Sequence, residues 1–71
     1  MGISEENVKL TKHALEQMQE RGITNNEVLR VLQRGSRVQQ TEGTLAIHGG
    51  IGVAYQKTKK GQYRVKTVIW I

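Results

Sequence analysis

The chain has 71 residues, with 11 Lys and Arg against 6 Glu, and it lacks Asp, Cys, Pro and Phe. That length allows one domain whose core supplies only about 3–5 kcal/mol. The absence of Cys excludes disulfide staples, thiolate metal sites and a Cys nucleophile. No apolar run approaches the roughly 18–20 residues of a membrane span, and Met1–Lys9 is too polar for a secretory signal, so a small cytoplasmic protein is expected. The charge is divided: residues 1–27 set five Glu against Lys9, Lys12 and Arg21, a net −2, whereas residues 28–71 set eight basic residues against Glu42 alone, a net +7. A basic C-terminal half implies a polyanionic partner, RNA or DNA first.

Residues 1–9 read as a flexible or extended lead-in to a single domain. The first helix is expected over Thr11–Arg21, with Thr11 as N-cap and Gly22 in the left-handed C′ position. Leu10, Ala14, Leu15 and Met18 form its apolar stripe, and His13, Gln17 and Arg21 step along the stripe's edge at i, i+4, i+8. Thr24-x-x-Glu27 is a capping box opening a second helix, and Ile23 and Val28 are placed as a hydrophobic staple. Val28, Leu29, Val31 and Leu32 supply its buried face, Arg30 and Arg34 complement the dipole of its last turn, and Gly35 closes it.

After Gly35 the hydrophobic period changes from 3.6 to 2. Strands are expected over Ser36–Thr41, Thr44–His48, Ile51–Lys57 and Gln62–Ile71, joined by Glu42-Gly43, Gly49-Gly50 and Thr58–Gly61. Leu45 and Ile47 share one face, as do Ile51, Val53 and Tyr55. In the last strand Tyr63, Val65, Thr67, Ile69 and Ile71 share a face opposite Arg64, Lys66, Val68 and Trp70. Trp70 reads as a core or interface anchor. The fold class is therefore α+β, two N-terminal helices packed on a four-stranded, mainly antiparallel sheet.

The residues disfavour a metal site: there is no Asp, and His13 and His48 lie on different elements without ligand spacing. No cofactor motif is present either, since the glycines at 49–52 open a strand and not a helix. The remaining set suits metal-free RNA cleavage, in which a 2′-hydroxyl attacks the adjacent phosphorus. That reaction needs a near-neutral base, an acid for the leaving oxygen and cations for the developing charge. His13 or His48 supplies the base or acid. Arg21, Lys59, Arg64 and Lys66 are candidate phosphate clamps, and Tyr55 or Tyr63 could stack on a base or shuttle a proton. Arg30, Arg34, Arg37 and Lys60 extend the basic surface. A solvated face explains these charges equally well, and half-buried sheet positions explain the tyrosines.

Leu10-Thr11-Lys12-His13-Ala14, then Met18, Glu20-Arg21-Gly22-Ile23-Thr24, Glu27-Val28 and Val31-Leu32 resemble the signature of the DUF4258 family, and Tyr63–Ile69 looks like that family's closing strand. The resemblance implies a distant relationship to RelE-like ribonuclease toxins, a RelE/barnase-like fold, and RNA, free or ribosome-bound, as substrate. An antitoxin protein would then be a partner. Carried over by residue, His13 and Arg21 match the N-terminal motif and Thr67 the closing strand, while Gln17 stands where the family usually has Arg. Two further readings stand beside the endoribonuclease. One is a non-catalytic nucleic-acid-binding or regulatory protein, and the other an interaction module whose Val68–Ile71 end pairs in a homodimer or with a partner.

Overall fold

The structure, a computed structural model, describes residues 3–71, so Met1 and Gly2 of the expected lead-in lie outside the described residues. The caps written into the sequence form as read. Thr11 Oγ1 accepts the Ala14 amide at 3.2 Å to open α1 (Lys12–Arg21), and Gly22 closes it at φ 67° with its N–H bonded to the Met18 carbonyl. A Cβ in that left-handed conformation costs roughly 1–2 kcal/mol, which is why glycine stands there. At α2 (Asn25–Arg34) the Thr24 amide donates to Glu27 Oε1 at 3.1 Å and the Glu27 amide returns a bond to Thr24 Oγ1 at 3.3 Å. Ile23 and Val28, the staple, are both buried.

One expectation about the helices changes. Leu15 is 43% exposed and Leu10 belongs to a strand, so only Ala14 and Met18 of the α1 stripe are fully buried. Gly35 closes α2 as expected, its N–H bonded to the Val31 carbonyl, and at φ −71° it is extended and leads directly into the sheet. Its missing side chain serves close packing, since a Cβ there would collide with the Val31 carbonyl oxygen and crowd the Ile47 backbone.

The sheet has five strands, β1 (Val8–Leu10), β2 (Ser36–Gln40), β3 (Gly43–His48), β4 (Ile51–Lys57) and β5 (Tyr63–Trp70), in the order β1-β5-β4-β3-β2. Strands β2 to β5 form the expected antiparallel meander. The fifth strand corrects the expectation of four. Drawn from the lead-in, β1 runs parallel to β5 with Val8 opposite Tyr63 and Leu10 opposite Val65, which makes the sheet mixed. Three residues are too few to show a period, and their partner strand is at the other end of the chain. Ahead of β1, Glu5–Asn7 form a 3-10 turn, and Ile3 is buried with its carbonyl accepting from Gln33 Nε2.

Both helices lie on one face of the sheet, α1 over β5 and α2 over β3 and β4. Val28, Val31 and Leu32 of α2 meet Ala46, Val53, Val65 and Val68 in the core. Leu45 and Ile47 do share a face, but it is the uncovered one: the buried residue of β3 is Ala46. In β5 the alternation breaks. Ala54 pairs with Thr67 and Tyr55 with Val65, which leaves Lys66 as the extra residue of a β-bulge. Val65 and Val68 therefore both face the helices, and Thr67 and Ile69 turn to the uncovered face beside Ala54 and Gly52. A period-2 reading assumes no insertion and so misassigns every residue past Lys66. Trp70, read as an anchor, is 52% exposed, with its indole N–H donating to the Arg21 carbonyl at 3.1 Å. No helix among the described residues is long and apolar enough to cross a membrane.

Candidate functional site at the β5 edge

β1 covers β5 only as far as Val65, whose carbonyl accepts the Thr11 amide at 3.2 Å as the chain turns into α1. From there α1 itself lines the edge of β5. Gln17 Oε1 accepts the Val68 amide at 3.0 Å, and the Arg21 carbonyl takes the Trp70 indole. These contacts satisfy edge groups that would otherwise be unpaired. The row His13–Gln17–Arg21 thus runs along this edge. His13 lies one helical turn, about 6 Å, before Gln17 on the same side of α1, with its imidazole exposed.

The bulge collects further chemistry on the uncovered face. Thr67 points there, Arg64 is the next residue on that face, two register positions along, and Lys9 of β1 stands opposite Arg64. Lys66 reaches over Ala54 to the β2–β3 turn, where its Nζ donates to the Glu42 carbonyl at 2.9 Å. Register therefore places Thr67, Arg64 and Lys9 on the open face beside the bulge, with Lys66 extending toward the β2–β3 turn, while His13 stands on α1 on the covered side of the same edge. Lys9 was not foreseen, because nothing in a three-residue segment announces that it pairs in parallel beside Arg64.

The other candidate residues are placed elsewhere. His48, half-buried at the end of β3, lines a shallow depression of about 180 Å³ with Glu27, Arg30 and Ile51. It sits across from Ile51, which is across from Trp70, so two strand spacings, about 10 Å, separate it from the Arg21 end of α1. His13 lies a further 12 Å or so along the helix. The structure does not bring the two histidines together. Tyr55, expected as a proton shuttle or base platform, is 5% exposed, its ring tilted 60° against Tyr63 at 5.6 Å. That burial gives it a packing role. Tyr63 lies under the Lys57 ammonium, 5.7 Å from its ring centroid.

Arg21 approaches Glu20 at 4.0 Å, and its buried Nη1 finds no hydrogen-bond partner among the described residues. Arg37 is tied back to the Leu32 carbonyl by Nη2 at 3.2 Å, on the helix-covered face. Arg30 and Arg34 are exposed on α2, and Lys59 and Lys60 are exposed in the β4–β5 loop. These cations surround the sheet; Arg64, Lys66 and Lys9 alone share the bulge end of its open face.

The family model for a domain of unknown function, DUF4258, matches residues 10–70, nearly the whole chain. The chain belongs to the DUF4258 family. No curated protein and no solved structure matches this DUF4258 domain. The matched stretch begins inside β1 and ends with β5, so it takes in α1 and the whole of the bulged strand. Gln17 has a structural role at this edge. Accepting the Val68 amide needs an oxygen, which Gln has and Arg lacks.

Proposed function

We propose that this DUF4258 domain is a metal-independent endoribonuclease of RelE-like type, working at the bulged edge of β5. The observation that carries the reading is the β-bulge at Lys66, with Thr67, Arg64 and Lys9 in register on the open face and His13 on the helix that lines the same edge, since bulges recur beside active sites where a side chain must be re-aimed. RNA would lie on the uncovered face, its phosphate held by Arg64 and Lys66 and its bases over Ala54 and Ile69. His13 takes the proton of the 2′-hydroxyl. The oxygen attacks the adjacent phosphorus, the bond to the 5′-oxygen breaks, and that oxygen takes a proton from water. The products are a 2′,3′-cyclic phosphate and a free 5′-hydroxyl. Arg64 and Lys66 stabilise the added negative charge of the transition state.

A specific observation supports a second reading. With His48 remote and Tyr55 buried, the edge holds a single histidine, and an acid–base pair is not assembled. The same surface would then bind RNA without cutting it. Incubation of the protein with mixed-sequence RNA in EDTA, with and without ribosomes, separates the two. Cleavage lost in His13→Ala with binding retained is the expected result. Intact RNA in both conditions, with salt-sensitive binding, leaves the binding function alone.

A further inference from the structure

We propose that two copies of this chain join through the free edge of β2 about a two-fold axis at Val38, fusing their sheets into one of ten strands. The proposal is independent of the RNA reading. It differs from the pairing of Val68–Ile71 considered from the sequence, because the Val68 amide on that edge is already bonded to Gln17.

The register of β2 supplies the geometry. The two-residue turn Thr41–Glu42 closes on the Gln40–Gly43 pair, and bonded pairs recur at every second position from there, Val38 with Leu45 and Ser36 with Ile47. The N–H and C=O groups of Arg37 and Gln39 are therefore turned outward. Antiparallel pairing centred on Val38 sets Arg37 of one copy opposite Gln39 of the other, and each such pair exchanges two hydrogen bonds. The two Val38 side chains meet as the closer, non-hydrogen-bonded pair. Val38 is 49% exposed and lies on the uncovered face beside Leu45, so this contact extends an apolar strip already present.

Charge agrees with the same register. It sets the α2 end of β2, where Arg34 ends the helix, against the second copy's β2–β3 turn, which carries Glu42, once at each end of the pairing. Glu42 is the single acidic residue after residue 27, and among the described residues its carboxylate forms no ion pair. The edge also lacks the usual protections. β2 pairs regularly with β3 and contains no Pro, no Lys and no bulge, and its one charged side chain, Arg37, is drawn back to Leu32. The opposite free edge, β1, is only three residues long.

Sedimentation equilibrium from about 10 µM to about 1 mM tests the proposal. A strand-edge interface is at the small end of specific contacts, so a concentration-dependent shift from 8.0 kDa toward twice that mass is expected. Gln39→Pro removes an outward N–H that β3 does not use, so circular dichroism should be unchanged while the dissociation constant rises more than about 10-fold. Glu42→Lys should weaken association about threefold, and adding Arg34→Glu should restore it by exchanging the charges. A chain that stays monomeric to about 1 mM overturns the proposal, as does undiminished dimerisation of folded Gln39→Pro. Failure of the charge exchange to restore association overturns the register.

Discussion

Gln17→Arg replaces an acceptor at the edge of β5 with a cation, and the structure makes it a destabilising change. Gln17 Oε1 accepts the Val68 amide at 3.0 Å, in a part-buried position just past the point where β1 stops pairing with β5. A guanidinium has donors only, so the substitution leaves the Val68 amide without a partner and sets a cation against it. An unsatisfied buried amide costs about 1–3 kcal/mol, and partial exposure places this one near 1–2 kcal/mol. For a domain of this size that corresponds to a fall in Tm of about 5–15 °C. Gln17→Glu, which keeps an acceptor oxygen, should lose much less. Thermal denaturation followed by circular dichroism gives the stability. Hydrogen exchange by NMR reads the amide itself, with Val68 protection falling in Gln17→Arg and persisting in Gln17→Glu. Wild-type stability together with a still-protected Val68 amide in Gln17→Arg would refute the assignment of Gln17 as the keeper of this edge.

Three other outcomes follow from the same geometry. Leu32→Ala, at a side chain with no exposed surface, should cost about 2–5 kcal/mol, comparable to the whole stability of so small a core, and should unfold the chain by circular dichroism at 37 °C. Gly35→Ala should lower the urea midpoint although its φ of −71° suits alanine, because the new methyl meets the Val31 carbonyl oxygen; an unchanged midpoint would show that the α2–β2 junction can relax. For single-stranded RNA, the double substitution Arg64→Ala and Lys66→Ala should reduce the slope of log affinity against log salt by about 1.4, two phosphate contacts at roughly 0.7 each. Removing Lys59 and Lys60 instead should change that slope less.

The parts of the fold legible in the sequence are those set by local chemistry. The capping box at Thr24 and Glu27, the left-handed Gly22 and the alternation of Ile51, Val53 and Tyr55 each depend on residues within a few positions of one another, and each forms as read. What escaped depends on distant partners. β1 exists because Val65 and its neighbours offer an edge to three residues from the far end of the chain. The bulge at Lys66 is invisible without knowledge of which β4 residue faces which β5 residue, yet it decides that Thr67 joins Arg64 on the open face. That Leu45 and Ile47 share a face was readable from their alternation, but which face the helices cover was not, and it is the one that holds Ala46. The candidate site follows the same division. The His13–Gln17–Arg21 row was readable from helical spacing, whereas its neighbours Lys9 and Thr67, the remoteness of His48 and the burial of Tyr55 required the sheet register.

The placement of the site is tested most directly by titrating isotope-labelled protein with a single-stranded RNA made uncleavable by 2′-O-methylation and following backbone amide shifts by NMR. Binding at the bulged edge predicts the largest shifts at Lys9, His13, Arg64, Lys66 and Thr67, with the amides of His48 to Ile51 unmoved. Shifts centred on His48 and Arg30, or no saturable shifts at low salt, would contradict it.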